Sequence, residues 1–179
     1  MFCRKGIIGI CLVASLVFCS FGLPKNVHKK VTKEIQKAFE IESFQMDVVI
    51  ISEELNAKLP TKITDDNFHR LTDGDEFLGY AFVDQAPSKT ANFDYLIIFD
   101  DQLKVKHSKV LIYREEYGGE IGSKRWLKQF LGMTGFDRVD YETNIDGIAG
   151  ATISVRSMTN AMDGLLQTIG ILQENEALR

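Results

Sequence analysis

Past residue 19 the chain has no cysteine: Cys3, Cys11 and Cys19 all fall near the start of its 179 residues. A disulfide framework and a thiolate metal site are therefore both excluded for whatever folds downstream. Proline is scarce, at three residues, and the fourteen glycines are scattered. No long low-complexity linker divides the sequence, and no internal repeat is visible. The three histidines, His28, His69 and His107, lack the close spacing of metal ligands. Basic excess is also missing. The net charge is −4, and without Arg4 and Lys5 nineteen basic residues face twenty-five acidic ones. A nucleic-acid binder normally shows a basic face, so that class is set aside. What is present, 45% hydrophobic and 26% charged residues, is the make-up of a folded protein. The length allows one ordinary domain and an N-terminal extra.

That extra occupies residues 1–23. Arg4 and Lys5 precede an uncharged apolar run from Gly6 to Leu23. Its eighteen residues lie between a secretory core of roughly 7–15 and a membrane span of roughly 20. Ser20-Phe21-Gly22 offers small residues for cleavage after Gly22, and a retained anchor fits as well. Cys19, after Leu16-Val17-Phe18, has the outline of a lipidation site, though Phe18 is large for the position before it. Either way the expectation is export, with the domain, residues 28–179, working at the periplasmic or outer side of the cytoplasmic membrane.

The domain reads as α+β: a twisted antiparallel sheet with packed helices. After a polar spacer from Pro24 to Lys30, the residues Val31, Ile35, Ala38 and Phe39 follow helical spacing. Phe44 to Ile51 reads as a buried strand, and Ser52 as the cap of a short helix over 53–59 that ends before Pro60. Phe68–Thr72 and Glu76–Asp84 flank an Asp73-Gly74-Asp75 turn. Phe93–Phe99 and Leu103–Tyr113 make a second pair, and the alternation in the latter slips, which predicts a bulge near Ser108-Lys109. Ser123 caps a helix to about Leu131 that buries Trp126, Leu127 and Phe130. Val155, Met158, Met162, Leu165, Ile169 and Leu172 draw one apolar stripe along a long final helix.

The chemistry concentrates where that final helix begins, at Gly150-Ala151-Thr152-Ile153-Ser154. Gly150 and Ala151 allow close approach of a ligand to the backbone. A helix N-terminus offers unpaired N–H groups and the positive dipole end, which suit phosphate. Thr152 and Ser154 add hydroxyls, and either can equally be a plain helix cap.

The run Asp146-Gly147-Ile148-Ala149-Gly150-Ala151-Thr152 resembles the acceptor motif of the FMN-binding domain family, which includes flavin subunits of the Rnf and sodium-translocating NADH:quinone reductase complexes. The resemblance extends over residues 93–172. It takes in the strands 93–99 and 103–113, Glu115 with Gly118-Gly119, and the Trp126-Leu127-Lys128-Gln129-Phe130 helix, in that order. It implies FMN bound covalently by a phosphoester at Thr152, installed by an extracytoplasmic flavin transferase for which Asp146 is part of the recognition signal. Ala149 stands where the family more often has Ser or Thr, and Glu116-Tyr117 stands where many members have Thr-Pro. The expected cofactor contacts are Gly150, Ala151, Thr152, Ile153, Ser154, Glu115, Tyr117 and Gly118. Lys124 and Arg125 either meet an anion or form a solvated helix face, and Trp126 reads as core. No acid–base pair or activated nucleophile is apparent. The resemblance implies an electron relay with a membrane or extracytoplasmic redox partner. A non-redox assembly module and a flavin oxidoreductase acting on a small external acceptor stay open beside it.

Overall fold

The computed structural model describes residues 24–178. The leader, with its cleavage and lipidation expectations, lies outside the described residues. The first element, α1 (Lys25–Phe39), starts six residues before the spacing predicts. Val27 extends the buried row Val31, Ile35 one turn backward, and the Pro24 carbonyl accepts from the N–H groups of Val27 and His28 at 2.9 and 3.0 Å. The expected spacer is thus the helix's first turns.

Five strands follow in antiparallel order β1-β2-β3-β4-β5: β1 (Gln45–Val48), β2 (Phe68–Asp73), β3 (Glu76–Pro87), β4 (Asn92–Asp100) and β5 (Val105–Ile112). The segment expected as a buried strand, 44–51, is a four-residue edge strand with alternating exposure, and Ile50 beyond it is 86% exposed. An edge strand has a neighbour on one side only, so its β-branched run is not evidence of burial. Gly74, at φ +57°, turns β2 into β3 where Asp73 faces Glu76. The predicted bulge at Ser108-Lys109 is absent, because Ile97, Leu96 and Tyr95 face Ser108, Lys109 and Val110 without a break. Extra residues sit on either side instead, at Lys106 and Leu111. The slip in the pattern comes from the extra residue at Lys106, which puts Val105 and Val110 on one face, and between them the buried Ser108 donates to the Leu127 carbonyl at 3.0 Å.

Between β1 and β2, α2 (Glu53–Lys58) is capped by Ser52, whose hydroxyl accepts from Leu55 N–H at 3.3 Å. After β5 come a 3-10 turn (Gly119–Gly122), the single-turn α3 (Lys124–Leu127), a second 3-10 turn (Lys128–Phe130) and the long α4 (Thr152–Glu174). Ser123 caps α3 from its hydroxyl, as its position predicts.

Strand alternation splits the apolar side chains into two clusters. Phe68, Tyr80, Phe82, Phe93, Tyr95, Ile97 and Phe99 pack with the α4 stripe and with Trp126, Leu127 and Phe130. Leu71, Ala81, Val83, Leu96, Ile98 and Leu111 pack with Val27, Val31 and Ile35 of α1. The sheet therefore lies between α1 on one face and α4 with α3 on the other. This is the α+β class expected. Among the described residues no helix is long and apolar enough to cross a membrane, and no group of three metal-ligating side chains is found.

Candidate functional site

The approach to α4 is a tight turn in which Ala151 N–H donates to the Ile148 carbonyl at 3.0 Å. Gly150 makes that turn at φ +83°, where a side chain would be strained. Ala151 is the N-cap residue and has no side chain to offer the helix. The first intrahelical bond runs from Val155 N–H to Ala151 O at 2.9 Å. The N–H groups of Thr152, Ile153 and Ser154 are left without backbone partners among the described residues. Neither hydroxyl serves as a cap. No acidic residue occupies the first turn, so the positive end of a 23-residue helix is uncompensated. Thr152, the first helical residue, is exposed, and its hydroxyl has no hydrogen-bond partner among the described residues.

The facing wall comes from the end of β5. Tyr113 Oη donates to the Tyr117 carbonyl at 3.0 Å and lies 3.1 Å from Ser154 Oγ, which can donate to it. That chain joins the strand end, the 117–118 loop and the first turn of α4. Gly118 sits at φ +84°, and a Cβ there would lie 2.7 Å from Tyr113 Oη and 3.2 Å from Ala151 Cβ. A groove of about 520 Å³ results, lined by Lys89, Tyr113, Glu115, Tyr117 and residues 150–154. Its size is that of a small-ligand site. Two apolar side chains on its rim are exposed, Tyr117 at 80% and Ile153 at 49%.

Glu115 borders the groove but spends its carboxylate on the protein. Its Oε1 accepts from Thr90 N–H at 2.6 Å and Ala91 N–H at 3.3 Å, with the Ser88 and Thr90 hydroxyls at 2.5 and 3.3 Å. These bonds, Ser88 first, hold the carboxyl below its usual range. The expected contacts Gly150, Ala151, Thr152, Ile153, Ser154, Tyr117 and Glu115 thus line one groove, and Gly118 packs directly behind it. Lys89 and Tyr113 were not legible. They enter through the β3–β4 loop and the strand end, and nothing local in the sequence marks them.

Asp146 stands apart from this groove. It lines an adjoining one of about 570 Å³ with Glu120, Ser123, Arg125, Trp126, Gly147 and Ile148. The backbone there is fixed from α3: Trp126 Nε1–H donates to Asp146 O at 2.7 Å, and Gln129 Oε1 accepts from Asp146 N–H at 2.8 Å. The Asp146 side chain is left exposed. Trp126 is core, as read, and meets Phe130 edge-on at 5.3 Å between ring centres. Arg125 reaches the Asp146 groove, whereas Lys124 faces a different one beside Lys37 and Lys128.

Residues 91–167, from the start of β4 to the middle of α4, match the family model described as the FMN-binding domain. The chain carries an FMN-binding domain. The match ends where α4 passes beyond the site, and α1 to β3 lie outside it. No match was found among curated proteins. The family supports FMN as the cofactor and a flavin-binding protein as the class. The residues of the FMN-binding domain fit that group: free amides and an uncapped helix end suit its phosphate, and Gly150 and Ala151 leave the approach clear of bulk.

Proposed function

We propose that this is an exported electron-transfer flavoprotein that carries FMN through a phosphoester bond to Thr152. One observation carries the reading. Thr152 presents an unbonded, exposed hydroxyl at the uncapped N-terminus of α4, on the edge of a groove large enough for a ligand. Thr152 is the first helical residue, one position past the Ala151 N-cap, so its oxygen is not called on to cap the helix. Here that oxygen is available for another bond. The three free amides of the first turn hold the phosphate next to it, and the flavin, once bound, supplies reversible uptake of electrons. The protein's part is attachment and orientation. Tyr113 and Ser154 hold the groove walls together, while the exposed Tyr117 and Ile153 would offer apolar surface to the ring.

Attachment needs a flavin transferase, and the exposed Asp146, with its backbone pinned by Trp126 and Gln129, is the recognition point we assign to it. The apolar run before α1 supports export to the compartment where such a transferase and a membrane or extracytoplasmic redox partner act. A tethered flavin is not lost there by diffusion. The test is flavin fluorescence in a denaturing gel, after expression with an exported flavin transferase. A fluorescent band for the wild type and Thr152→Ser, and none for Thr152→Ala, is expected. A band that persists in Thr152→Ala would place the bond elsewhere.

A further inference from the structure

We propose that Lys89 is the residue that stabilises the reduced, anionic flavin, and that Glu115 is a positioning residue acting through it. This rests on the reading of Thr152 as the point of FMN attachment. Lys89 stands in the four-residue loop Ser88–Ala91 that joins β3 to β4, where Pro87 faces Asn92. It is exposed, lines the Thr152 groove, has no ion-pair or hydrogen-bond partner among the described residues, and is the only cation in that lining.

A lysine on a hairpin tip would ordinarily wander. Here the loop is clamped from both sides. Ser88 N–H donates to Ala91 O at 2.7 Å, and the residues on either side of Lys89 bind one carboxylate oxygen, Glu115 Oε1, across 25 residues of chain. Ser88 has one hydroxyl proton for two neighbours, Glu115 Oε1 at 2.5 Å and Ala91 O at 2.6 Å, so the two backbone N–H groups carry the clamp. Arg114 reinforces it by donating to Asn92 O at 2.7 Å and pairing with Asp94. Glu115 is the one carboxylate lining the groove, and its engaged oxygen faces the loop.

The division of charge then follows. The phosphate anion is served by the free amides of α4 at Thr152. Lys89, from another element, is left for a second anion. One arises when FMN takes two electrons and one proton from an external donor: the proton goes to N5, and a net negative charge stays on the ring around N1 and O2. A cation near that edge favours the reduced form.

The measurement is the midpoint potential of bound flavin at fixed pH, with dithionite as reductant. It is made on the FMN-loaded full chain and, separately, on Thr152→Ala saturated with free FMN. Lys89→Gln is expected to disfavour the reduced form about tenfold, a fall of about 30 mV for a two-electron couple, and Lys89→Arg to restore it. Glu115→Ala gives the sharper sign. If Glu115 acted directly, removing its negative charge would raise the potential. If it positions Lys89, the potential falls, amide exchange at Thr90 and Ala91 quickens, and Glu115→Ala adds nothing in a Lys89→Gln background. An unchanged potential in Lys89→Gln, or a rise in Glu115→Ala, overturns the proposal. A chain with Thr152 intact that gains no covalent flavin beside the transferase, but whose bound free FMN still responds to Lys89, would sink the attachment and leave this inference standing. A chain with Thr152 intact that takes up no flavin, covalent or free, would sink both.

Discussion

Thr152 and Gly118 define the site from opposite sides, and each makes a separate demand. Thr152 must offer an oxygen that nothing else uses. Gly118 must offer no side chain, because a Cβ would press on Tyr113 Oη at 2.7 Å in a backbone already at φ +84°. Gly118→Ala is expected to cost about 1–3 kcal/mol in urea unfolding and to lower flavin loading, since the Tyr113 wall must shift. Unaltered stability with full loading would show the contact to be slack. Tyr113→Phe is milder. It removes the hydroxyl shared by the Tyr117 carbonyl and Ser154, for about 1 kcal/mol in the same experiment, and leaves the ring in place against Phe93 at 6.0 Å. Thr152, Gly150 and Ala151 were legible in the sequence because their roles are local: a hydroxyl and two small residues at a helix start. Tyr113 and Lys89 were not, because distant strand ends bring them there. Glu115 lines the groove, but its bonds to the 88–91 loop were not legible, since a sequence does not show that a carboxylate is held by a loop 25 residues away.

Among the elements, α4 was the plainest in sequence and carries the core. Its stripe of Met158, Met162, Leu165 and Ile169 is fully buried against the aromatic face of the sheet. Leu165→Ala is expected to lose about 2–5 kcal/mol in chemical denaturation; a loss under 1 kcal/mol would mean that the helix repacks freely. The edge strand β1 and the start of α1 were misread for one reason. Short apolar runs do not say which side is covered, and polar runs do not say that a helix has not begun. The α1–β5 contact carries a pH signature. His107 of β5 lies 3.0 Å from Glu34 of α1, yet burial is the larger influence and holds the imidazole below its ordinary 6.5, with Lys109 and Lys37 acting in the same sense against Glu34. His69 is lowered as well, again mainly by burial. The unfolded chain therefore takes up protons first, so this contribution to stability is complete above about pH 6.5 and declines as the pH falls below it. The urea midpoint is expected to be lower at pH 5.5 than at 7.5, and His107→Asn to flatten the slope. A midpoint that rises on acidification would contradict the assignment.

At the scale of the whole molecule, the sheet separates α1 from α4, whose start borders the groove. The family match runs from residue 91 to 167, so it covers all of the groove's lining except Lys89. The β1–β3 half contributes Lys89 and the loop that Glu115 holds. That split explains why the motif points to Thr152 and not to the whole groove. Export is the larger claim. A chain begun at residue 24 and kept in the cytoplasm, away from an exported transferase, is expected to carry no flavin, whereas the full chain in the same host carries it; flavin on both would remove the link between export and attachment. The most direct test of the central claim is the tandem mass spectrum of the proteolytic peptide spanning residues 139–156, from protein matured beside an exported transferase. The account predicts an added mass of one FMN less one water, with the fragment series placing it on Thr152. An unmodified peptide, or an adduct localised to Thr143 or Ser154, would contradict it.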